Sequence, residues 1–281
     1  MIKRLPAPSL PALAIGLLLA FVTPAAMAAD TPAPGMQPDK AGEGAETLVV
    51  GMHYVIPPSV GGSKVRTPDA PDTALAQALA SKLGYGAVKA VPADAGGAAL
   101  LLERGDARAV LVSLPEGQAE SPDMRYVATG YESRPMAIMR TDTDIKSWDQ
   151  LRGRTVCMSA GGRYVGAMAA RYGAIEMVKR APADSLLALR IGECDAAVHD
   201  EAMLRTLLKL PEWEKFSASL PPGPGTRLVF AIPSSEASVL KAATDAMADW
   251  RRQQMWSKLN KQRVNDIAFE VYLDQTVPDC H

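Results

Sequence analysis

The residues best suited to bind a small polar molecule lie between Arg154 and Asp200. The apolar run from Thr155 to Ser159 is followed by Ala160-Gly161-Gly162 and an amphipathic stretch, a pattern that predicts a strand, a tight turn and a helix. Backbone N–H groups at such a helix start can hold an anion. A second apolar run, Asp195 to His199, ends on the carboxylate of Asp200. A helix N-terminus and an acid at strand ends together predict a site for a small polar ligand.

The first 28 residues have the pattern of a cleaved secretory signal. Lys3 and Arg4 precede an apolar run from Leu10 to Val22, and Ala26-Met27-Ala28 fits a small-x-small cleavage site. A membrane-spanning anchor needs about 20 apolar residues, and this run is shorter. No cysteine follows the run, so a lipoprotein anchor is not predicted. We expect residues 29–46, rich in Ala, Pro, Gly and charge, to form a disordered tether, and the mature protein to be free in an oxidising, extracytoplasmic space.

The three cysteines, Cys157, Cys194 and Cys280, suggest one cross-link. In an oxidising compartment, three cysteines predict one disulfide and one free thiol. Cys157 lies in the first predicted strand of the stretch and Cys194 immediately precedes the second, so these two sulfurs are the natural pair if the strands are neighbours. Such a bridge would stabilise the fold by about 3–4 kcal/mol if it acts on the entropy of the unfolded chain. No Cys-x-x-Cys or His-x-x-x-His spacing accompanies the cysteines, so neither a metal site nor a cofactor is predicted.

Composition restricts the partners of the protein. The 281 residues are 48% hydrophobic and 22% charged, which is typical of a soluble globular protein with one large core or two modest ones. The formal net charge of −1 becomes −3 when the first 28 residues, with two basic and no acidic side chains, are removed. This balance argues against nucleic acid and anionic membrane surfaces as partners.

From Thr47 onward, predicted strands and helices alternate in the order of a parallel sheet covered by helices. Asp72 is expected to cap the helix from Thr73 to Leu83, which Gly84 ends. The sequence LLERGDARAVLVS at 101–113 is similar to LALRIGECDAAVHD at 187–200, which favours two similar lobes. Near the end of the chain, the pattern predicts one long helix at 236–259 and then a tail whose Phe269 and Tyr272 pack onto a lobe.

Several segments in this order resemble family 3 extracellular solute-binding proteins, the polar amino acid receptors of ABC importers. The segments are TLVVGMHYVIPP, DTALAQALASKLG, IKSWDQLRGRTVCMSAGGRY, CDAAVHD and RLVFAIPSSEASVLKAAT. The resemblance covers nearly all of residues 47–259. The cysteines are similar in position to a bridged pair in the branch that serves general L-amino acid uptake.

The resemblance implies an α/β, two-lobe periplasmic binding protein type II fold. Each lobe would be a mainly parallel sheet flanked by helices, and two hinge strands would join the lobes. Lobe 1 is expected at 47–138 plus 228–281, with the C-terminal helix and tail free to pack elsewhere, and lobe 2 at 139–227. The crossings are expected at 139–143 and 228–232. A ligand that contacts both lobes would stabilise the closed state.

The resemblance also implies site residues. Tyr54 matches a position after the first strand that flanks the ligand side chain, and its neighbour His53 is more easily explained as structural. Asp200 matches the acid that holds the α-ammonium group of the ligand, with helix capping as the alternative. Gly161, Gly162 and Arg163 match a Gly-Thr-Thr turn. Arg163 replaces a small hydroxyl residue, so it either pairs with an extra acid on the ligand or is solvated.

Lobe 1 departs from the family pattern. Family receptors have a Thr-x-x-Arg segment whose arginine clamps the α-carboxylate of the ligand. The matching stretch SLPEGQAESPDMRY places Glu120 roughly there. Arg125 and Arg134 are the candidates for a replacement clamp, while Ser113 and Glu116 are candidates for polar contacts. A cationic or otherwise unusual ligand fits Glu116 and Glu120 better than an ordinary α-amino acid does.

The leading prediction is a periplasmic binding protein that is not an enzyme and is not itself embedded in the membrane. As a monomer it would bind a small polar solute, an amino acid or a related compound, by hinge closure and deliver it to an ABC transporter permease in the inner membrane. Two alternatives stay open on the same resemblance. One is a periplasmic enzyme similar to cyclohexadienyl dehydratase, a lyase. The other is a binding-protein-like accessory of a periplasmic quinoprotein dehydrogenase.

Overall fold

The computed structural model describes residues 46–58, 61–62, 64–115, 117 and 123–275. All of them belong to one structural unit, Gly44–His281. The predicted signal peptide, the predicted tether before Glu46, and the residues Glu116, Glu120 and Cys280 lie outside the described residues.

Within the described part of the chain, ten strands form two five-stranded sheets. In chain order the strands are β1 (Thr47–Met52), β2 (Ala87–Pro92), β3 (Ala109–Pro115), β4 (Met124–Ser133), β5 (Pro135–Met139), β6 (Thr155–Ser159), β7 (Ile175–Lys179), β8 (Ala196–Asp200), β9 (Ala218–Ser219) and β10 (Thr226–Pro233). The first sheet has the order β2-β1-β3-β10-β4 and the second has the order β7-β6-β8-β5-β9. We call the part built on each sheet the first lobe and the second lobe.

The helices of the described residues cover both sheets. They are α1 (Asp72–Leu83), α2 (Ala98–Glu103), α3 (Ala167–Tyr172), α4 (Pro182–Arg190), α5 (Glu201–Leu207), α6 (Ala237–Arg252) and α7 (Met255–Asp274). Short 3-10 turns lie at Trp148–Leu151 and Pro211–Phe216.

The first sheet is parallel where β1 pairs with β2 and β3, and β10 runs antiparallel between β3 and β4. Alternation along β1 explains how its two faces are used. Leu48 and Val50 are buried in the core beneath α1 and α6, whereas Val49 packs with the core beneath α2. In α1, Leu75 and Leu79 are four residues apart and face the sheet together.

The second sheet repeats this plan. β6 is parallel to β7 and β8, and β5 is antiparallel to β8 and β9. Helices α4, α5 and α7 cover one face, and α3 with the turn at Trp148–Leu151 covers the other. The repetition agrees with the similarity between 101–113 and 187–200, because α2–β3 and α4–β8 are equivalent helix–strand units.

The disulfide joins the two neighbouring strands of the second sheet, as predicted. Cys157 in β6 is bonded to Cys194, which lies just before β8, and their Cα atoms are 5.8 Å apart. β6 and β8 pair directly, with Cys157 opposite Ala197.

The chain changes lobes earlier than expected. β5 was assigned to lobe 1 up to Ile138, but it pairs with β8 and its residues are buried in the second lobe. The first crossing is therefore at Arg134 and not at 139–143. The return crossing lies at 221–225 and not at 228–232, since β10 belongs entirely to the first sheet. The two crossings run side by side, and the N–H of Gly223 donates to the carbonyl of Pro135 over 2.9 Å.

The expected long helix at 236–259 is in fact two helices. Gln254 adopts a left-handed conformation, with φ 54°, and separates α6 from α7. α6 packs in the first lobe, while Val264, Ile267 and Val271 of α7 are buried in the second. The prediction of a tail packed through Phe269 and Tyr272 was wrong, because α7 turns these side chains outward and leaves them 61% and 75% exposed. α7 is thus a third connection between the lobes.

Candidate ligand site at the interlobe seam

Polar side chains of both lobes meet where the carboxyl ends of β1 and β3 face those of β6 and β8. We call this group the interlobe seam. On the first-lobe side it comprises Tyr54, Asp69, Asp72, Ser113, Tyr131 and Ser133, and on the second-lobe side it comprises Ser159, Gly161, Gly162, Arg163, Tyr164, Ser185, His199, Asp200 and, from α7, Arg263. The seam therefore contains all six predicted ligand-binding residues.

Arg163 reaches across the seam to the first lobe. Its Nη1 donates to Ser113 Oγ over 2.6 Å and its Nη2 donates to Asp72 Oδ1. Asp72 is buried, with 4% of its side chain exposed, and Arg163 is mostly buried, with 11% exposed. Burial raises the pKa of Asp72, and the positive charge of Arg163 opposes that rise. The alternative of a solvated Arg163 is therefore not what the structure shows.

Asp72 does not cap α1, contrary to the prediction. Pro71 occupies the cap position and no side-chain cap hydrogen bond forms there. The Asp72 carboxylate is turned instead toward Arg163. A charged partner on the other lobe binds a carboxylate more strongly than a backbone N–H does, so the distant contact decides its orientation.

The turn after β6 directs Arg163 and Tyr164 into the seam. The N–H of Gly162 donates to the carbonyl of Ser159 over 2.9 Å, which closes the turn. The predicted helix start at this turn was wrong, because α3 begins only at Ala167. The intervening residues form successive turns, and the N–H of Gly162 is used within the first of them. The seam contacts at this turn come from side chains, not from a helix N-terminus.

Gly161 permits close approach of Tyr54. A Cβ atom added to Gly161 would lie 2.5 Å from Cδ1 of the Tyr54 ring. Gly161 also has φ +82°, a conformation that glycine adopts at little cost. The predicted site residues Tyr54 and Gly161 are thus in direct contact across the seam.

Asp69 is the centre of a second group of contacts. It accepts from Ser159 Oγ over 2.8 Å and lies 3.3 Å from Arg263 Nη2 and 3.8 Å from His199 Nδ1. Burial opposes its ionisation, but the interaction with His199 and the charge of Arg263 hold the pKa of Asp69 far below its usual range. Sequence reasoning missed Asp69 and Arg263. Asp69 lies in an irregular loop and Arg263 in a helix that was not predicted, so neither had a local signal.

His199 also contacts the hydroxyl of Ser185 through Nε2, which places Ser185, His199 and Asp69 in series. Ser185 is fully buried on α4. A nucleophilic serine must reach its substrate, so this series is explained as a buried hydrogen-bonded network that orients Asp69.

Asp200 pairs with hydroxyl groups. Its Oδ2 accepts from the Tyr131 hydroxyl over 2.6 Å and lies 3.5 Å from the Tyr164 hydroxyl. Its Oδ1 accepts from the N–H of Ala202 over 3.4 Å, which caps α5. Both roles considered for Asp200, site residue and cap, are therefore compatible. Burial raises the pKa of Asp200, and the hydrogen bond from Tyr131 opposes this effect.

Tyr131 is itself firmly held. Its ring packs on Trp256 with centroids 4.7 Å apart, and Trp256 Nε1 donates to the carbonyl of Thr129. Burial, reinforced by the charge of Asp200, raises the pKa of Tyr131 well above its ordinary value. Tyr131 therefore stays a neutral donor to Asp200. Nothing in its sequence context singled it out.

The two candidate clamps lie apart from this contact set. Arg125 is an exposed residue of β4 that lines a shallow cavity with Leu240, Thr244 and Arg251 of α6. Arg134 lies at the first crossing, 44% exposed, and pairs with Glu132 over 3.6 Å. The structure brings neither guanidinium to Asp72, Asp69 or Asp200.

Further pairs join the lobes beside the seam. Arg66, in the loop between β1 and α1, donates to Asp184 of α4 over 2.8 Å and to Asp274 of α7. The hydroxyl and N–H of Thr67 in the same loop both donate to Glu270. In the described residues, no group of three or more His, Cys, Asp or Glu side chains is arranged to hold a metal ion. No helix in that part of the chain has the length and apolar character to cross a membrane.

Solved structures of substrate-binding proteins share this architecture. The amino acid ABC transporter substrate-binding protein AbpA from Streptococcus pneumoniae, bound to L-arginine, is similar over 79% of this chain and 95% of its own, with 15% sequence identity and a TM-score of 0.51. A mutant of ArgBP from T. maritima is similar over 78% of this chain and 95% of its own, with 18% identity and a TM-score of 0.50. No protein-family model and no curated protein matches the chain. By fold, the protein is a two-lobe α/β protein of the periplasmic binding protein type, as the resemblance implied.

Proposed function

We propose that the protein is the periplasmic solute-binding protein of an ABC importer. It would hold a small polar solute at the interlobe seam and deliver it to a permease in the inner membrane. The observation that supports this proposal is the convergence of Asp72, Asp200 and Arg163 from different elements on one buried surface. Burying ionised groups costs free energy, and such groups are concentrated at binding sites.

Closure around the solute is part of the proposal. The crossings at Arg134 and at 221–225 are adjacent, so the lobes can rotate about one edge of the seam. Tyr131 belongs to the first lobe and Asp200 to the second, and opening would separate them. A solute that contacts both would favour the closed state by its difference in affinity for the two states.

A thermal-shift screen of the mature protein against amino acids, polyamines and organic acids tests this function. A true ligand at about 100 times its Kd should stabilise the protein by about 2.7 kcal/mol. Asp200→Ala should abolish that stabilisation. Asp245→Ala is the matched control, because Asp245 lies on α6 and, among the described residues, pairs only with Lys241 on the protein surface. A shift that is unchanged in Asp200→Ala would contradict the assignment of the site.

One observation favours a second candidate, a binding-protein-like accessory of a periplasmic dehydrogenase. Arg163 and Asp69 are already paired across the seam with side chains of the protein itself. A lobe arrangement held in this way does not require a solute. A purified quinoprotein dehydrogenase that co-elutes stoichiometrically with the mature protein in gel filtration, together with a negative solute screen, would select this candidate.

A further inference from the structure

We propose that the solute is a cationic amine that lacks a carboxylate group, held through its ammonium group by Asp200 between Tyr131 and Tyr164. This inference rests on the proposed solute-binding function and names the chemical class of the ligand. It departs from the expectation of a zwitterionic amino acid.

The charged groups of the seam are paired with one another, except for one carboxylate. Three aspartates and two arginines meet there, and each arginine already has a carboxylate. Arg163 is bound to Asp72, and Arg263 lies 3.3 Å from Asp69. His199 also faces Asp69, at 3.8 Å. Once these cations are paired with Asp72 and Asp69, Asp200 is the one carboxylate of the seam that has no cationic partner in the described part of the chain.

The contacts of Asp200 confirm this count. Among the described residues, no Lys, Arg or His side chain lies within ion-pair distance of Asp200. Its partners are the hydroxyls of Tyr131, Tyr164 and Ser133 and the N–H of Ala202, all of them neutral. A half-buried carboxylate that has only neutral donors gains strongly from a cation, because a charge-assisted hydrogen bond replaces a neutral one. An ammonium group is the ligand that satisfies it.

A ligand carboxylate would find no unpaired cation in the seam. Both seam guanidinium groups are neutralised by buried acids, and Arg125 and Arg134 lie elsewhere. Since each buried charge must be paired, an amine fits the seam without disturbing the Arg163–Asp72 contact, whereas a zwitterion must break it.

Isothermal titration of the mature protein with matched pairs of ligands tests the inference. The pairs are cadaverine against lysine and agmatine against arginine, which differ only in the α-carboxylate. We expect the amine of at least one pair to bind about 10-fold or more tightly than its amino acid. Tighter binding of the amino acids would overturn the amine inference and leave the proposed function intact. If neither amines, amino acids nor any other solute of the screen bind, the proposed function fails and the inference with it.

Two variants locate the effect. Asp200→Asn should weaken amine binding about 10-fold or more, while Asp245→Asn should bind as the wild type does. Asp72→Asn releases Arg163 from its acid, so the preference should shift toward the amino acid of each pair. Circular dichroism and thermal melting establish that each variant is folded before titration. An unchanged amine preference in folded Asp72→Asn would contradict the inference that the ion pair with Asp72 keeps Arg163 from binding a ligand carboxylate.

Discussion

At the scale of single residues, the absence of a Cβ at Gly161 lets the lobes approach at Tyr54. We expect Gly161→Ala to destabilise the protein for two reasons. The alanine must adopt φ +82°, and its Cβ would lie 2.5 Å from the Tyr54 ring. The backbone contribution is about 1 kcal/mol and the overpacking adds about 1–3 kcal/mol. Urea denaturation measures the change in the free energy of unfolding.

Gly192→Ala separates these two contributions. Gly192 has φ +81°, and a Cβ added there meets no neighbour within 4 Å. This variant should lose only the backbone contribution of about 1 kcal/mol. Equal losses in the two variants would mean that Tyr54 does not press on Gly161 in solution.

The raised pKa of Asp200 predicts a pH-dependent effect of Asp200→Asn. Because burial raises this pKa in the folded state, the native protein binds the proton at a higher pH than the unfolded chain does. The favourable contribution of Asp200 to stability is thus complete below its unfolded pKa and is lost as the pH rises through the folded pKa. Asp200→Asn should therefore be more stable than the wild type near neutral pH, and this advantage should shrink on acidification.

Urea denaturation of both proteins over a pH series gives the difference directly. Asp69 and Asp72 are present in both, so their own titration largely cancels. A difference that stays constant with pH would argue that Asp200 has an ordinary pKa. If Asp200 lowers the free energy of unfolding when no ligand is bound, that loss of stability is expected of a residue retained for binding and not for folding.

The sequence showed the seam residues that lie next to recognisable patterns. Gly161, Gly162 and Arg163 follow a strand, and Asp200 ends one. Asp69, Arg263 and Tyr131 were missed, because their roles come from partners far away in the chain. For Tyr131 and Asp200 the separation is 69 residues, and for Asp69 and Arg263 it is 194. Local periodicity contains no information on such pairs.

At the scale of elements, α7 makes the second lobe depend on the end of the chain. Ile267 is fully buried in the core of the second lobe. We expect Ile267→Ala to cost about 2–5 kcal/mol, the range for removing a buried aliphatic side chain. Leu273→Ala on the same helix is the control, since Leu273 is 61% exposed, and should change stability by less than about 0.5 kcal/mol. Urea denaturation of both variants decides whether α7 is docked in solution.

Most elements were predictable because their hydrophobic periodicity is strong. β6, β8 and α1 lie within one or two residues of their predicted bounds. The break at Gln254 was not predictable, because apolar residues continue on both sides of it and no Gly or Pro marks it. The lobe to which β5 belongs was also hidden. A short apolar run packs equally well in either sheet, and only strand pairing decides.

At the scale of the whole molecule, side-chain pairs join one lobe to the other. Arg66 and Arg163 each cross from one lobe to the other. The double variant Arg66→Ala, Arg163→Ala removes both contacts. Among the described residues, Asp72 then loses its arginine, while Asp184 and Asp274 keep only Arg180 and Lys64 as basic partners. We expect a larger radius of gyration for this variant in small-angle X-ray scattering, because the open state becomes relatively more favourable.

Arg108→Ala is the matched control for this experiment. Arg108 pairs with Glu236 and Tyr85 within the first lobe, so its loss removes an ion pair without affecting closure. Identical scattering from the double variant and the wild type would contradict the view that these pairs determine the lobe arrangement.

The position of α7 in the chain also determines when the second lobe can complete its fold during synthesis. The strands of the second lobe end at Ser219, but Val264, Ile267 and Val271, which complete its core, follow them after the return to the first lobe and the whole of α6. While the chain is being synthesised from its N-terminus, the second lobe has no finished core. The core that surrounds the Cys157–Cys194 bridge is therefore completed only when the last helix has been made.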